Sequence, residues 1–189
     1  VESREQVQAV YPQHIVAGGC VYIVANRPHA GTIKKTGAIE RLFIGMEGAL
    51  PPALQVLAQR MQQAGLDAHA TERIKEVMWE KFYLVGVNAT ATTYFEQSTG
   101  AVLADEHKAV FTWKLLNELD QLAKAKGICF EEDMVAATKT KFMALPYETQ
   151  SSMQRDFQQG GRTELDILTG YIVRESNILS LPCPAFDEA

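Results

Sequence analysis

Lys81 and Asn88 stand in a stripe of apolar residues where packing alone would not put them. Ile74, Val77, Met78, Leu84 and Val85 recur at three- and four-residue spacing, one face of a helix, and the lysine and the asparagine fall on that face. A lysine so placed either carries its amine to water along its own methylenes or sits in a desolvated cleft. In a cleft, burial disfavours the charged form of a lysine, so the amine becomes a better proton donor near neutrality. Asn88 reads either as a hydrogen-bonded core residue or as a ligand contact.

A second concentration of polar residues is Ser151-Ser152-Met153-Gln154-Arg155-Asp156, followed by Gly160-Gly161-Arg162-Thr163-Glu164-Leu165-Asp166. Ser151 and Ser152 suit a helix N-cap or a ligand equally. Thr163 with Asp166 reads as a capping box for the last long helix, which leaves Glu164 as the acidic residue packing explains least. Other chemistries find no support. The sequence has no GxGxxG, no phosphate loop of the Walker kind, no Gly-x-Ser-x-Gly and no His-Glu-x-x-His. Cys20, Cys129 and Cys183 are too few and too far apart for a disulfide framework and read as core thiols in a reducing compartment. The histidines are scattered without zinc spacing, so no metal is expected.

The elements that must position these residues have two textures. Residues 1–47 carry short β-like runs, Cys20-Val21-Tyr22-Ile23-Val24-Ala25 and Arg41-Leu42-Phe43-Ile44-Gly45. Turn signals at Asn26-Arg27-Pro28, Gly31 and Thr36-Gly37 separate them. From Leu50 onward the period is helical. Helices are expected from Pro52 to a stop at Gly65, over 72–95, over 106–126 with Phe111, Leu115, Leu119 and Leu122 buried, over 131–145, and over 152–158 and 164–176. Glu131-Glu132-Asp133 reads as an acidic first helical turn. The fold class is mainly α, a helical bundle preceded by a few strands that would not be stable alone. The net charge of -5 argues against nucleic acid, and no apolar run is long enough to cross a bilayer. The chain lacks an initiator Met and opens inside a helical pattern, so it is expected to be an internal piece of a longer protein.

In order and spacing these residues resemble the ketopantoate reductase family (2-dehydropantoate 2-reductase). Gly18 to Ile23, Gly31-Thr32-Ile33 and Arg41 to Gly45 are similar to the family's strands at the end of its cofactor domain. Trp79-Glu80-Lys81-Phe82 is similar to its Trp-x-Lys motif, and Gly100 falls where the family has a glycine. Ser151-Ser152-Met153 with Asp156, Arg162 to Asp166 and Gly170 resemble its C-terminal signature.

The resemblance implies a two-domain enzyme. Residues 1–47 would be the last part of an NADPH-binding Rossmann-type domain, and residues 48–189 an all-helical substrate domain like that of the 6-phosphogluconate dehydrogenase superfamily. It implies reduction of 2-dehydropantoate to pantoate in pantothenate biosynthesis, in the cytoplasm, with a homodimer through the helical domain. Lys81 would be the general acid. Glu164 would position the lysine and substrate near the nicotinamide, Ser152 would bind the substrate carboxylate, and Asn88 would contribute a polar contact. The fragment alone would be inactive. The sequence departs from the family at Val85, Ala89, Thr149 and Thr169, where asparagines are the pattern. Loss of such partners changes selectivity strongly. A relative reducing another carbonyl, and a non-catalytic dimerisation module, are the alternatives.

Overall fold

The computed structural model describes residues 3–189, without the side chains of 26–27 and 36–39. The chain divides into two compact units, Val1–Met78 and Trp79–Ala189.

The first unit is built on a three-stranded sheet in the order β1-β2-β3. After helix α1 (Ser3–Val10), β1 (Gly18–His29) and β2 (Thr32–Gly45) form an antiparallel hairpin closed at Gly31, whose φ of 79° is the left-handed region that glycine reaches without strain. Register shifts between Ile23 and Val24 and between Asn26 and His29 mark bulges. The residues expected as turns at 26–28 and 36–37 therefore lie within two long strands, their irregularity taken up by bulging rather than chain reversal. Helix α2 (Pro52–Gln63) then crosses over to β3 (Asp67–Thr71), which pairs parallel with β2 from Arg41↔Asp67 to Gly45↔Thr71. That pairing leaves no room at Gly45: a Cβ there would lie 1.9 Å from the Thr71 carbonyl oxygen. β3, Asp-Ala-His-Ala-Thr, is too short and too poor in branched residues to announce itself in the sequence. Tyr22 of β1 donates its hydroxyl to the Val77 carbonyl at 3.1 Å, tying the sheet to the start of α3 (Ile74–Tyr94).

The second unit takes α3 from Trp79 onward, then α4 (Thr99–Ala104), α5 (Glu106–Ala125), α6 (Met134–Met143), α7 (Ser152–Gln158), α8 (Leu165–Ile178) and α9 (Pro184–Glu188). α5 is its hub and touches α4, α6, α8 and α9. Leu115, Leu116, Leu119 and Leu122 are wholly buried on one side of it, as the spacing predicts, while Phe111 is half-buried. Side-chain caps set the helix starts: Ser98 for α4, Asp105 for α5, Asp133 for α6 and Ser151 for α7. Asp133 thus precedes α6, and the acidic run 131–133 is its approach and cap rather than its first turn. The expected capping box at Thr163 does not form. The N-cap is Glu164, without a side-chain bond, and Asp166 instead accepts from Arg174 at 2.8 Å. α9 has no cap of its own; the Glu118 carboxylate on α5 accepts the Ala185 and Phe186 N–H groups at 2.9 and 3.1 Å. Cys20 and Cys183 are buried, but Cys129 is exposed. Among the described residues no helix is long and apolar enough to cross a membrane.

The long helix corrects one expectation. Its buried side carries Trp79, Phe82, Tyr83, Val87 and Thr90, and from Gly86 to Thr93 it is buried all round. Of the apolar stripe that shares a face with Lys81, Ile74 is wholly buried and Val77, Met78 and Leu84 are half-buried, but Val85 is 40 % exposed. Branched aliphatic spacing picked out that stripe, whereas burial followed the aromatics and the small residues that let neighbouring backbones approach.

Candidate active site

All four sequence candidates lie in the second unit. Lys81, two residues into it on α3, is half-buried. One turn on, Val85 presents apolar surface to the same side, and two turns on comes Asn88. Glu80, the preceding residue, is committed to Lys141 of α6 at 2.7 Å. The aromatic rings on either side of the lysine pack inward: Trp79 and Phe82 meet edge-to-face at 5.6 Å, and Phe82 meets Tyr171 of α8 at 5.8 Å. These rings fix the azimuth of α3 and so decide which side the lysine takes.

Asn88 is 9 % exposed, and its Oδ1 accepts the Thr99 hydroxyl at 2.7 Å. That leaves its amide nitrogen as the end able to meet a ligand. Thr99 also sends its backbone N–H to the Thr149 carbonyl at 2.8 Å, so the start of α4 and the chain ahead of α7 are gathered onto one turn of α3. Ser151 caps α7, accepting the Gln154 N–H at 3.0 Å, and its hydroxyl oxygen lies 2.8 Å from Thr92 Oγ1. Ser152, the first residue of α7, is exposed, and its hydroxyl is not consumed by capping.

Glu164 is exposed at the start of α8, where its carbonyl accepts the Ile167 and Leu168 N–H groups. Among the described residues its carboxylate makes no ion pair or side-chain hydrogen bond, so it is not bonded to Lys81. α8 is fastened to α3 elsewhere, by Thr90 Oγ1 and Thr169 Oγ1 at 2.7 Å in the interior and by Tyr171 against Trp79 and Phe82. The structure therefore binds the helix carrying Glu164 to the helix carrying Lys81, without a direct contact between the two. A cavity of about 660 Å³ lined by Tyr83, Asp120, Lys124, Phe130 and Met134 includes none of the four candidates.

What sequence reading missed is the threonine network: Thr90, Thr92, Thr99 and Thr169, all buried. The signal was present in Asn88-Ala-Thr-Ala-Thr-Thr93, a run of small polar residues inside a helix, where a hydroxyl must find a partner if it is buried. No group of three or more His, Cys, Asp or Glu among the described residues is placed to hold a metal ion.

The C-terminal family described as "Ketopantoate reductase PanE/ApbA C terminal" matches residues 73–188. An uncharacterized oxidoreductase, YkpB of Bacillus subtilis, is 24 % identical over 184 residues, 97 % of this chain and 61 % of that protein. The crystal structure of 2-dehydropantoate 2-reductase from Methylococcus capsulatus superposes with a TM-score of 0.86 at 24 % identity, over 100 % of this chain and 60 % of that one. A D-mandelate dehydrogenase in complex with NADH superposes at 0.81 with 18 % identity, over 98 % and 64 % of the respective chains. These likenesses establish the fold: a mainly helical domain with a small sheet before it. The chain spans about three-fifths of the length of the relatives it matches.

Proposed function

Since the chain belongs to the ketopantoate reductase family, we propose that it supplies the substrate side of a reductase converting a 2-keto acid, 2-dehydropantoate first among them, to the 2-hydroxy acid. The observation that carries this reading is Lys81: a half-buried lysine one helical turn from exposed Val85, within the segment the family match covers. In such a reduction the carbonyl carbon gains a hydride, negative charge grows on the carbonyl oxygen, and one proton must reach it. The Lys81 ammonium gives that proton and meanwhile attracts the anionic substrate. Ser152, its hydroxyl free of the cap, donates to the carboxylate, and Asn88 donates through its amide nitrogen. Glu164, on a helix fastened to α3, steers the lysine and the substrate from the other side.

A nicotinamide cofactor, NADPH in this reading, would supply the hydride. The residues here do not fit it. The one β-α-β crossover among the described residues, β2-α2-β3, opens its helix on Pro51-Pro52, so N–H donors are missing where a dinucleotide phosphate would be bound, and no GxGxxG precedes it. Binding would fall to chain outside these 189 residues, with residues 1–47 as the end of that domain, 48–189 as the substrate domain, and a homodimer formed through the helices.

A second reading keeps the reaction class and changes the substrate. Val85 is 40 % exposed on the lysine's side, an apolar wall that suits a bulkier or aromatic 2-keto acid. The test is turnover by the full-length protein of a 2-keto acid panel containing 2-dehydropantoate and the aromatic keto acid corresponding to mandelate. Lys81→Met is expected to lower kcat by about a hundredfold or more, the scale of losing a general acid. A well-folded Lys81→Met enzyme with an unchanged rate refutes the assignment and leaves the non-catalytic module.

A further inference from the structure

Two ties run from one turn of α3 to the segment that introduces α7. One is Asn88–Thr99–Thr149. The other is a line of hydroxyls. Thr92 Oγ1 lies 2.7 Å from the Asn88 carbonyl oxygen and 2.8 Å from Ser151 Oγ, and Ser151 Oγ accepts the Gln154 N–H at 3.0 Å. A hydroxyl has one proton, and a carbonyl can only accept. Thr92 Oγ1 is the donor in both contacts, so its one proton is shared between the Asn88 carbonyl and Ser151 Oγ, and Ser151 Oγ accepts from Thr92 as well as from the Gln154 N–H. Thr92 and Gln154 are both buried and Ser151 between them is half-buried, so water competes little for the Thr92 end of the line. The cap is thereby held in one rotamer from behind, and the next residue is Ser152, whose side chain is exposed.

We infer that Thr92, which touches no substrate, is a positioning residue. Through Ser151 it sets where Ser152 presents its hydroxyl, and so sets affinity for the carboxylate end of a 2-keto acid, leaving the proton transfer at Lys81 alone. The inference rests on the function proposed above.

Thr92→Val keeps the shape and removes the hydroxyl; Thr92→Ser restores it. Ser151→Gly cuts the same line from the other end while keeping a residue acceptable as an N-cap. In the full-length enzyme, Thr92→Val and Ser151→Gly should each raise the KM for the keto acid about tenfold, the scale of one well-placed hydrogen bond, with kcat and the KM for the nicotinamide cofactor within about twofold. Thr92→Ser should return KM to within about threefold of the parent. In a Ser152→Ala background Thr92→Val should add less than about twofold, because the residue it acts through is gone. An unchanged KM in either folded single variant, a fall in kcat alone, or full additivity with Ser152→Ala overturns the inference. Lys81→Met separates the levels. If it abolishes turnover while Thr92→Val and Ser151→Gly leave KM alone, only the positioning role fails. If Lys81→Met is harmless, or no keto acid is reduced, the parent function fails and the positioning role with it.

Discussion

The bond between Thr90 and Thr169 gives the sharpest test of how α8 is held. The two hydroxyl oxygens are 2.7 Å apart, and the residues are 2 % and 5 % exposed. Replacing Thr90 by valine keeps the volume but leaves a buried hydroxyl on Thr169 without this partner, which costs about 1–3 kcal/mol. Thr169→Val does the same to Thr90. Replacing both leaves two methyl groups facing each other and no orphan, so the double variant should lie within about 0.5 kcal/mol of the parent. The coupling in the double-mutant cycle is therefore large and opposite in sign to the single losses. Urea unfolding of the full-length protein measures it. For an m value of about 2 kcal/mol/M, each single variant should lower the midpoint by roughly 0.5–1.5 M and the pair by no more than about 0.3 M. Trp79 packs on Tyr171 at 6.4 Å, so its fluorescence reports on the α3–α8 junction. A double variant as destabilised as the sum of the two singles would refute the reasoning, because it would show that shape or local backbone bonding, not the paired hydroxyls, governs the contact.

Two further outcomes follow from local geometry. Gly45→Ala should cost about 3 kcal/mol or more, since the new Cβ would lie 1.9 Å from the Thr71 carbonyl oxygen, a backbone atom that cannot rotate away; the loss should appear as faster hydrogen exchange along β2 and β3. Tyr83 donates its hydroxyl to Asp120 at 2.9 Å, and burial first, then that carboxylate, push its pKa upward from 10.0. A raised folded-state pKa means stability that is fully present below about pH 10 and lost as the pH rises beyond it. Tyr83→Phe should therefore flatten the loss of stability above about pH 10; an alkaline unfolding curve of unchanged slope would contradict the assignment.

The fold was legible where periodicity and burial report the same thing. On α5 the leucines at 115, 119 and 122 recur with the helical period and are wholly buried, and the helix ends before Gly127, which has a φ of 72°. On α3 the two signals part. From Gly86 to Thr93 every side faces protein, so no amphipathic period exists, and the branched residues in the stripe of Lys81 run from wholly buried Ile74 to exposed Val85. Seven-residue α7 was legible at its observed bounds, but the elements shorter than it left no trace. β3 has five residues, and α4 and α9 six and five, fewer than two helical turns. At Thr163 the motif was present without the geometry, because a capping box needs a backbone turn at Thr163 that the chain instead makes at Glu164. The candidate residues were readable as types. Their partners were not, since a hydrogen bond across 59 or 79 positions has no sequence period.

That limit bears on how the departures from the family pattern are understood. Thr149 and Thr169 stand where the resemblance leads one to expect asparagine, which suggested a substrate site short of polar partners. In the folded chain, Thr169 spends its hydroxyl on Thr90, and Thr149 takes the Thr99 N–H on its carbonyl. The Thr169 side chain therefore has a partner of its own, whereas at Thr149 it is the backbone, not the side chain, that ties the start of α4 to the chain ahead of α7. Val85 differs, being 40 % exposed on the side of α3 that carries Lys81. The departures therefore fall into two kinds: Val85 changes an exposed surface beside the lysine, and Thr169 changes a buried contact between α3 and α8. Selectivity should follow Val85. Substituting Val85 should reorder the substrate panel, whereas substituting the threonines should move KM or stability without changing which keto acid is preferred.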